Sequence, residues 1–235
     1  MLDVFKKLIR WRSKLEFSLV PSLPASSFGE LKFVMDTLTG VSPEFQVDLV
    51  DGKFVPLISW PYVGVDPMAE LVKLKKFSDK FSLELDCMIV KPEKQLDSFF
   101  ELNIKRLIIH YGSTSTYQTI IKQAHDHGIK VGLAFTNDSD KSEITNLIPQ
   151  FDFIQIMGIE KVGQQGQPFD VRTLASIRYF RSSFPSLEIA IDGAVNEKTI
   201  PDLLNAGANR LAPGSAIAKA TNPKSAYLTL RQLLP

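Results

Sequence analysis

Asp48, Asp86 and Asp192 each lie at or near the end of a short apolar run, and Gln46 stands two residues before Asp48. Residues two apart on an extended strand share a face, so Gln46 and Asp48 point the same way. Aspartate is seldom buried without a counter-charge. Three carboxylates at strand ends therefore call for a divalent cation, or for duty as proton carriers in acid–base chemistry. Taken singly, each has an ordinary alternative: Asp48 capping a turn, Asp86 solvated, Asp192 accepting loop N–H groups. Taken together they read as a site.

A second pattern lies in three successive loops. Residues 163–167 read Gly-Gln-Gln-Gly-Gln, so Gly163 and Gly166 open one loop. Gly193 and Ala194 follow Asp192, and Gly214 and Ser215 follow Pro213. Glycine lets backbone N–H groups approach an anion, and a helix start adds a favourable dipole, so these loops are candidates for holding a phosphate. Tight turns would use the same glycines, but three consecutive loops with the same feature favour the phosphate reading. Ser22, Met88, His110 and Met157, also at strand ends, complete the candidate lining of the site.

The elements that must position these residues are legible in the pattern. Apolar runs mark strands at Phe17–Ser22, Phe45–Val50, Leu83–Met88, Arg106–His110, Lys130–Phe135, Phe153–Met157, Glu188–Ile191 and Arg210–Ala212. Their near-continuous apolar character predicts parallel strands buried on both faces. Helical windows fall near 27–38, 66–77, 93–102, 116–127, 141–148, 170–183, 198–206 and 223–233. Asp66-Pro67 and Lys91-Pro92 suit helix starts, while Gly128 and Gly207 suit left-handed caps. The alternation predicts a single α/β domain over residues 17–235, a (β/α)8 TIM barrel, with an open doubly wound sheet as the alternative. Such a barrel carries its chemistry at the C-terminal ends of its strands, where the residues above fall.

Residues 1–16 form a separate amphipathic N-terminal extension, with Lys6, Lys7, Arg10, Arg12 and Lys14 set among Leu2, Phe5, Leu8, Ile9, Trp11 and Leu15. A short helix packed against the body is the expectation there, ahead of a membrane-surface or partner contact. The chain has 27 Lys+Arg against 26 Asp+Glu, a net charge of +1, which argues against a strongly basic nucleic-acid binder. No run of about 18 apolar residues marks a transmembrane segment. One cysteine, Cys87, excludes an intrachain disulfide and suits a cytoplasmic location.

At these residues the sequence resembles the ribulose-phosphate 3-epimerase family. The family's H-x-D-x-M-D-G-x-F-V-P appears as Gln46-Val-Asp48-Leu-Val50-Asp51-Gly52-Lys-Phe54-Val55-Pro56. Its H-L-M-V-x-x-P-E is matched by Asp86-Cys-Met88-Ile-Val-Lys-Pro92-Glu93, and its M-T-V-x-P-G-F-G-G-Q-x-F loosely by Met157 to Phe169. V-D-G-G-V-N is matched by Ile191-Asp192-Gly193-Ala194-Val195-Asn196, and the ending by Ala206-Gly207-Ala208-Asn209 followed by Gly214-Ser215-Ala216.

The resemblance implies epimerisation at C3 of a ketopentose phosphate, D-ribulose 5-phosphate to D-xylulose 5-phosphate. Asp48 and Asp192 match the aspartates that remove and return the proton on opposite faces. It also implies a divalent metal, typically zinc or iron in the family, at the positions of Gln46, Asp48, Asp86 and Asp192. A phosphorylated ketose is the implied partner, and a homo-oligomer the implied assembly. Two departures bear on the chemistry. Both family histidines are replaced, by Gln46 and Asp86, leaving an all-oxygen set that suits Mg²⁺ or Mn²⁺ better than Zn²⁺. Val50 and Leu57 replace pocket residues, which keeps open another ketose phosphate, such as a hexulose 6-phosphate, or a non-catalytic sugar-phosphate-binding barrel.

Overall fold

The computed structural model describes residues 15–163 and 166–235. The reading of residues 1–16 as an amphipathic helix therefore lies, up to residue 14, outside the described residues, as do Gln164 and Gln165 of the glycine-rich loop.

The strands form one parallel ladder. In chain order they are β1 (Ser18–Leu19 and Ser22–Leu23), β2 (Glu44–Val50), β3 (Ser82–Met88), β4 (Arg106–His110), β5 (Lys130–Phe135), β6 (Phe153–Met157), β7 (Glu188–Asp192) and β8 (Arg210–Ala212). Every strand from β2 to β8 falls within one residue of the span that hydrophobic pattern predicts. The exception in kind is β1, which is broken in the middle. Its first run pairs with β8, Ser18 opposite Arg210, and its second with β2, Ser22 opposite Gln46. Between them Val20 N donates to Leu211 O at 2.8 Å, and Gln46 N donates to Pro21 O at 2.9 Å. Pro21 has no N–H to give a ladder, so the strand changes partner at this point. Bonded on both sides, β1 closes the sheet into a barrel.

Helices wrap the outside with their apolar faces inward. In α1 (Phe28–Leu38) the buried residues are Leu31, Val34, Met35 and Leu38, the i, i+3, i+4, i+7 spacing of one helical face. Ser27 caps it, accepting a hydrogen bond from Glu30 N. Several predicted windows are composite. Residues 66–77 form a short α-helix, Pro67–Leu71, running into a 3-10 stretch, Val72–Phe77, and a further helix of four residues, Ser215–Ala218, follows β8.

Inside the barrel, polar and apolar layers alternate. At the end where the strands begin, Glu84 accepts from Arg106 Nε at 2.6 Å and lies 3.2 Å from Arg210, while Arg106 and Arg210 also reach Glu188 and Glu44. Above this ionic floor sits a small apolar plug of Ile108, Ala134 and Phe153. Gly132 makes room for it, since a Cβ there would lie 2.2 Å from the Phe153 ring. The plug separates the ionic floor from the opposite mouth, where the strands end.

Candidate active site at the C-terminal mouth of the barrel

β2, β3 and β7 bring Asp48, Asp86 and Asp192 together. One carboxylate oxygen from each lies within 4.8 Å of the others, and all three side chains are buried. Register explains part of this. Asp48 stands opposite Asp86 on neighbouring strands, and Met157 opposite Asp192. Barrel curvature supplies the rest, turning β7 back toward β2.

Gln46 joins the cluster from below. Its Nε2 is 2.9 Å from Asp48 Oδ1, 3.0 Å from Asp192 Oδ2 and 3.5 Å from Asp86 Oδ2. The four residues expected to act together from their positions in the sequence thus converge. Asp86 is held further by His110 Nε2, 2.7 Å from Oδ1, and by Gln155 Nε2, 2.9 Å from Oδ2. No lysine or arginine pairs with the three carboxylates among the described residues.

Gln155 is the residue that sequence reading missed. It is the one polar side chain in Phe153–Met157, and it stands two before Met157, on the same face. A lone amide within an otherwise apolar buried strand was the available signal. Gln46 and Gln155 are both fully buried, and the Oε1 of each has no hydrogen-bond partner.

The open cavity above the cluster is lined by Asp48 and Asp192 together with Ser22, Met88, Met157, Gly163, Gly166, Gly193, Ala194, Gly214 and Ser215. Gln46, Asp86 and His110 lie beneath it. His110, expected to face a ligand, instead backs Asp86 and packs against the Phe54 ring at 5.4 Å. Asp51, in the segment that follows β2, ties two loops together: it accepts from Lys53 N and Phe54 N, and from Val90 N beyond β3.

One end of the cavity is built from main chain. Gly193 and Ala194 are both left-handed, with φ of 96° and 55°. Consecutive residues of unusual twist can turn their N–H groups to one side and form a concave anion seat. Gly214 and Ser215 open the short Ser215–Ala218 helix. The N–H groups of Ala194, Gly214 and Ser215 take no protein acceptor among the described residues.

The electrostatics follow from burial. Removal from water pushes the Asp48 carboxyl well above the usual carboxylate range, and the charges of Asp192 and Asp86 push it the same way. Asp192 is pushed up to about 8, first by burial and then by Asp86, while hydrogen bonds from Gln46 and Gly193 pull against the rise. The folded, metal-free site therefore keeps protons that the unfolded chain gives up near 3.8. Between these values the native state binds more protons than the unfolded one, so stability falls as pH rises. Metal-stripped protein is expected to lose thermal stability steadily from about pH 4 to about pH 8, and Asp192→Asn to flatten that decline. Melting curves across this range check it; an unchanged slope in the variant would count against a raised Asp192.

The donor set fits a hard divalent cation. It holds three convergent carboxylates, with the Gln46 and Gln155 amides beside them, their Nε2 turned to the carboxylates and their Oε1 without partners. His110 is turned to Asp86, so it offers no ring nitrogen to the centre of the cluster.

Comparison with known proteins agrees with this architecture. The model of the ribulose-phosphate 3 epimerase family matches residues 15–218. The ribulose-phosphate 3-epimerase of Schizosaccharomyces pombe is 28% identical over 220 residues, 92% of this chain and 93% of that one. That of Eremothecium gossypii is 30% identical over 211 residues, 88% of each chain. Among solved structures, KGPDC from Streptococcus mutans has a TM-score of 0.73 over 92% of this chain and 95% of that one. At 9% identity it speaks for the fold alone.

Proposed function

The chain belongs to the ribulose-phosphate 3-epimerase family, and from that membership we propose that it epimerises D-ribulose 5-phosphate to D-xylulose 5-phosphate, with Asp48 and Asp192 as the two proton carriers. The observation that supports this reading most is that both carboxylates line one cavity whose far end is built from main-chain amides.

The hydrogen at C3 sits beside a carbonyl and is weakly acidic. One ionised aspartate takes that proton, and the C–H electron pair moves into the carbonyl to give an enediolate. The other aspartate, protonated, returns a proton to C3 from the opposite face, and the electrons move back. The configuration at C3 is thereby inverted with no net gain or loss of protons. Such a pair needs one carboxyl charged and one neutral at the same pH. In the metal-free site, burial and mutual repulsion oppose ionising both carboxyls together; a bound cation would pull both toward the charged form, so the working pair would share its protons with the substrate and the cation.

Gln46, Asp48, Asp86 and Asp192 would hold a divalent cation, which when bound supplies Lewis-acid stabilisation of the enediolate oxygens. His110 and Gln155 fix the direction of Asp86. Met88 and Met157 line the cavity with polarisable, aprotic surface, so the enediolate meets no competing proton donor from them. The N–H groups of Ala194, Gly214 and Ser215 would seat the phosphate, with Gly163 and Gly166 across from them. Barrels of this kind recurrently bind phosphate after the seventh and eighth strands, at the start of a short extra helix.

The primary test is turnover of ribulose 5-phosphate by purified protein supplied with Mn²⁺, Mg²⁺, Zn²⁺ or Fe²⁺. Absence of turnover with every metal would refute the reading. A panel including hexulose 6-phosphates checks the choice of ketose. If main-chain amides seat the phosphate, D-ribulose without it is expected to lose about 10³-fold or more in kcat/KM, since binding energy distant from the reacting carbon is used to orient it. Equal kcat/KM for the two sugars would remove the phosphate seat. The single buried thiol, Cys87, is consistent with a reducing, cytoplasmic setting. No described helix is long and apolar enough to cross a membrane.

A further inference from the structure

We propose that Gln155 is an additional oxygen donor to the divalent cation, so that this chain surrounds its metal with two carboxamides and three carboxylates. The inference rests on the cation part of the function proposed above and assigns a ligand that the resemblance does not supply.

Two buried amides stand against one carboxylate cluster. Gln46 Oε1 and Gln155 Oε1 are buried without a partner, while the Nε2 of each residue points at Asp86. A buried carbonyl oxygen left without a hydrogen bond costs about 1–3 kcal/mol. An amide oxygen has no reason to face three carboxylates unless a cation stands between them, so the amides would turn only when something positive arrives. A half-turn of an amide exchanges its oxygen and nitrogen at almost the same positions. After that turn each Oε1 stands where Nε2 stands now.

The spacing suits a cation after the exchange. Gln155 Nε2 is 2.9 Å from Asp86 Oδ2, and Gln46 Nε2 is 2.9 and 3.0 Å from Asp48 and Asp192. Oxygens at about 2.0–2.1 Å from an octahedral Mg²⁺ lie about 2.8–3.0 Å apart along each edge. The amide–carboxylate separations, which are those of ordinary hydrogen bonds now, thus match neighbouring positions of an oxygen shell once the amides turn. With no cation the amide nitrogens serve the carboxylates; with one, the amide oxygens serve the metal.

The alternative role is positional: Gln155 would act only by donating its N–H to Asp86. Two substitutions separate the two. Gln155→Leu removes both the oxygen and the N–H, whereas Gln155→Glu keeps an oxygen donor and removes the N–H. Full-length protein is stripped with chelator, and Mn²⁺ binding is followed by calorimetry and by electron paramagnetic resonance, with circular dichroism confirming the fold. The natural chain is expected to bind one Mn²⁺. Gln155→Leu should weaken it by about tenfold or more, and Gln155→Glu should bind at least as tightly as the natural chain. Should Gln155→Leu fail to fold, Gln155→Asn, with its shorter arm, is expected to show the weakening. Unchanged affinity in Gln155→Leu, equal weakening in Gln155→Glu, or no Mn²⁺ binding by the natural chain would each overturn the assignment. Turnover of ribulose 5-phosphate is read on the same natural preparation. Mn²⁺ bound without turnover retires the epimerase reading alone, and turnover with unchanged affinity in Gln155→Leu retires the ligand assignment alone.

Discussion

Asp48→Asn and Asp192→Asn are each expected to lower epimerisation by about 10²–10⁴-fold, the usual worth of a positioned acid or base. Asparagine keeps the shape of aspartate but cannot take up or return a proton. The more searching result is isotopic. Each variant retains one of the two carboxylates, so each should still exchange the C3 hydrogen of one epimer with deuterium from solvent. Asp48→Asn and Asp192→Asn should exchange opposite epimers, because the remaining carboxylate faces opposite sides of C3. Loss of fold would not mimic this pattern. Either change removes a buried carboxyl whose ionisation the fold opposes and the unfolded chain does not, so in metal-free protein at about pH 8 both variants should melt at or above the natural chain. Exchange of the same epimer by both variants, or turnover within tenfold of the natural chain, would refute the two-aspartate assignment.

Arg106→Met should strongly destabilise the barrel floor. Arg106 is buried, donates to Glu84 at 2.6 Å, bonds Glu188, and lies 3.8 Å above the Phe153 ring. Glu84 is 1% exposed, so removing Arg106 leaves a buried carboxylate with Arg210 as its remaining ion-pair partner, at 3.2 Å. Breaking a buried pair on one side costs about 3–5 kcal/mol. For a chain of this size that corresponds to a drop of roughly 10 °C in Tm. The double variant Arg106→Met with Glu84→Gln should recover much of the loss, because the uncompensated charge is then gone. Glu188 is about one-third exposed and remains solvated in either case. Thermal and urea unfolding of the two variants decide it. A loss below about 1 kcal/mol in the single variant would mean that Arg210 alone balances Glu84.

The sequence alone determined the run of parallel strands alternating with helices, and it pointed to the strand ends as the place to look for chemistry. Parallel strands buried on both faces must be apolar throughout, so eight such runs separated by helical windows could be counted without coordinates. Period two put Gln46 and Asp48 on one face, and Asp48, Asp192 and the loop glycines stood where a barrel carries its site. Local pattern carries all of this, because side-chain direction along a strand depends only on parity.

Tertiary structure alone decided which polar groups meet, and at what height. Asp86 could have been solvated on its own strand; register with β2 and the curvature of the sheet bury it against Asp48, Gln46, Gln155 and His110. His110 ends its strand like a ligand-facing residue, yet lies under the cavity, because the depth of a side chain inside a barrel is set by the stagger between strands. The break in β1 is visible in sequence only as Pro21; that the strand then bonds to β8 on one side and β2 on the other is a property of closure. The raised Asp48 and Asp192 belong to the same level. Withdrawal from water and the approach of other carboxylates come from distant parts of the chain, and only the closed barrel brings them to one point.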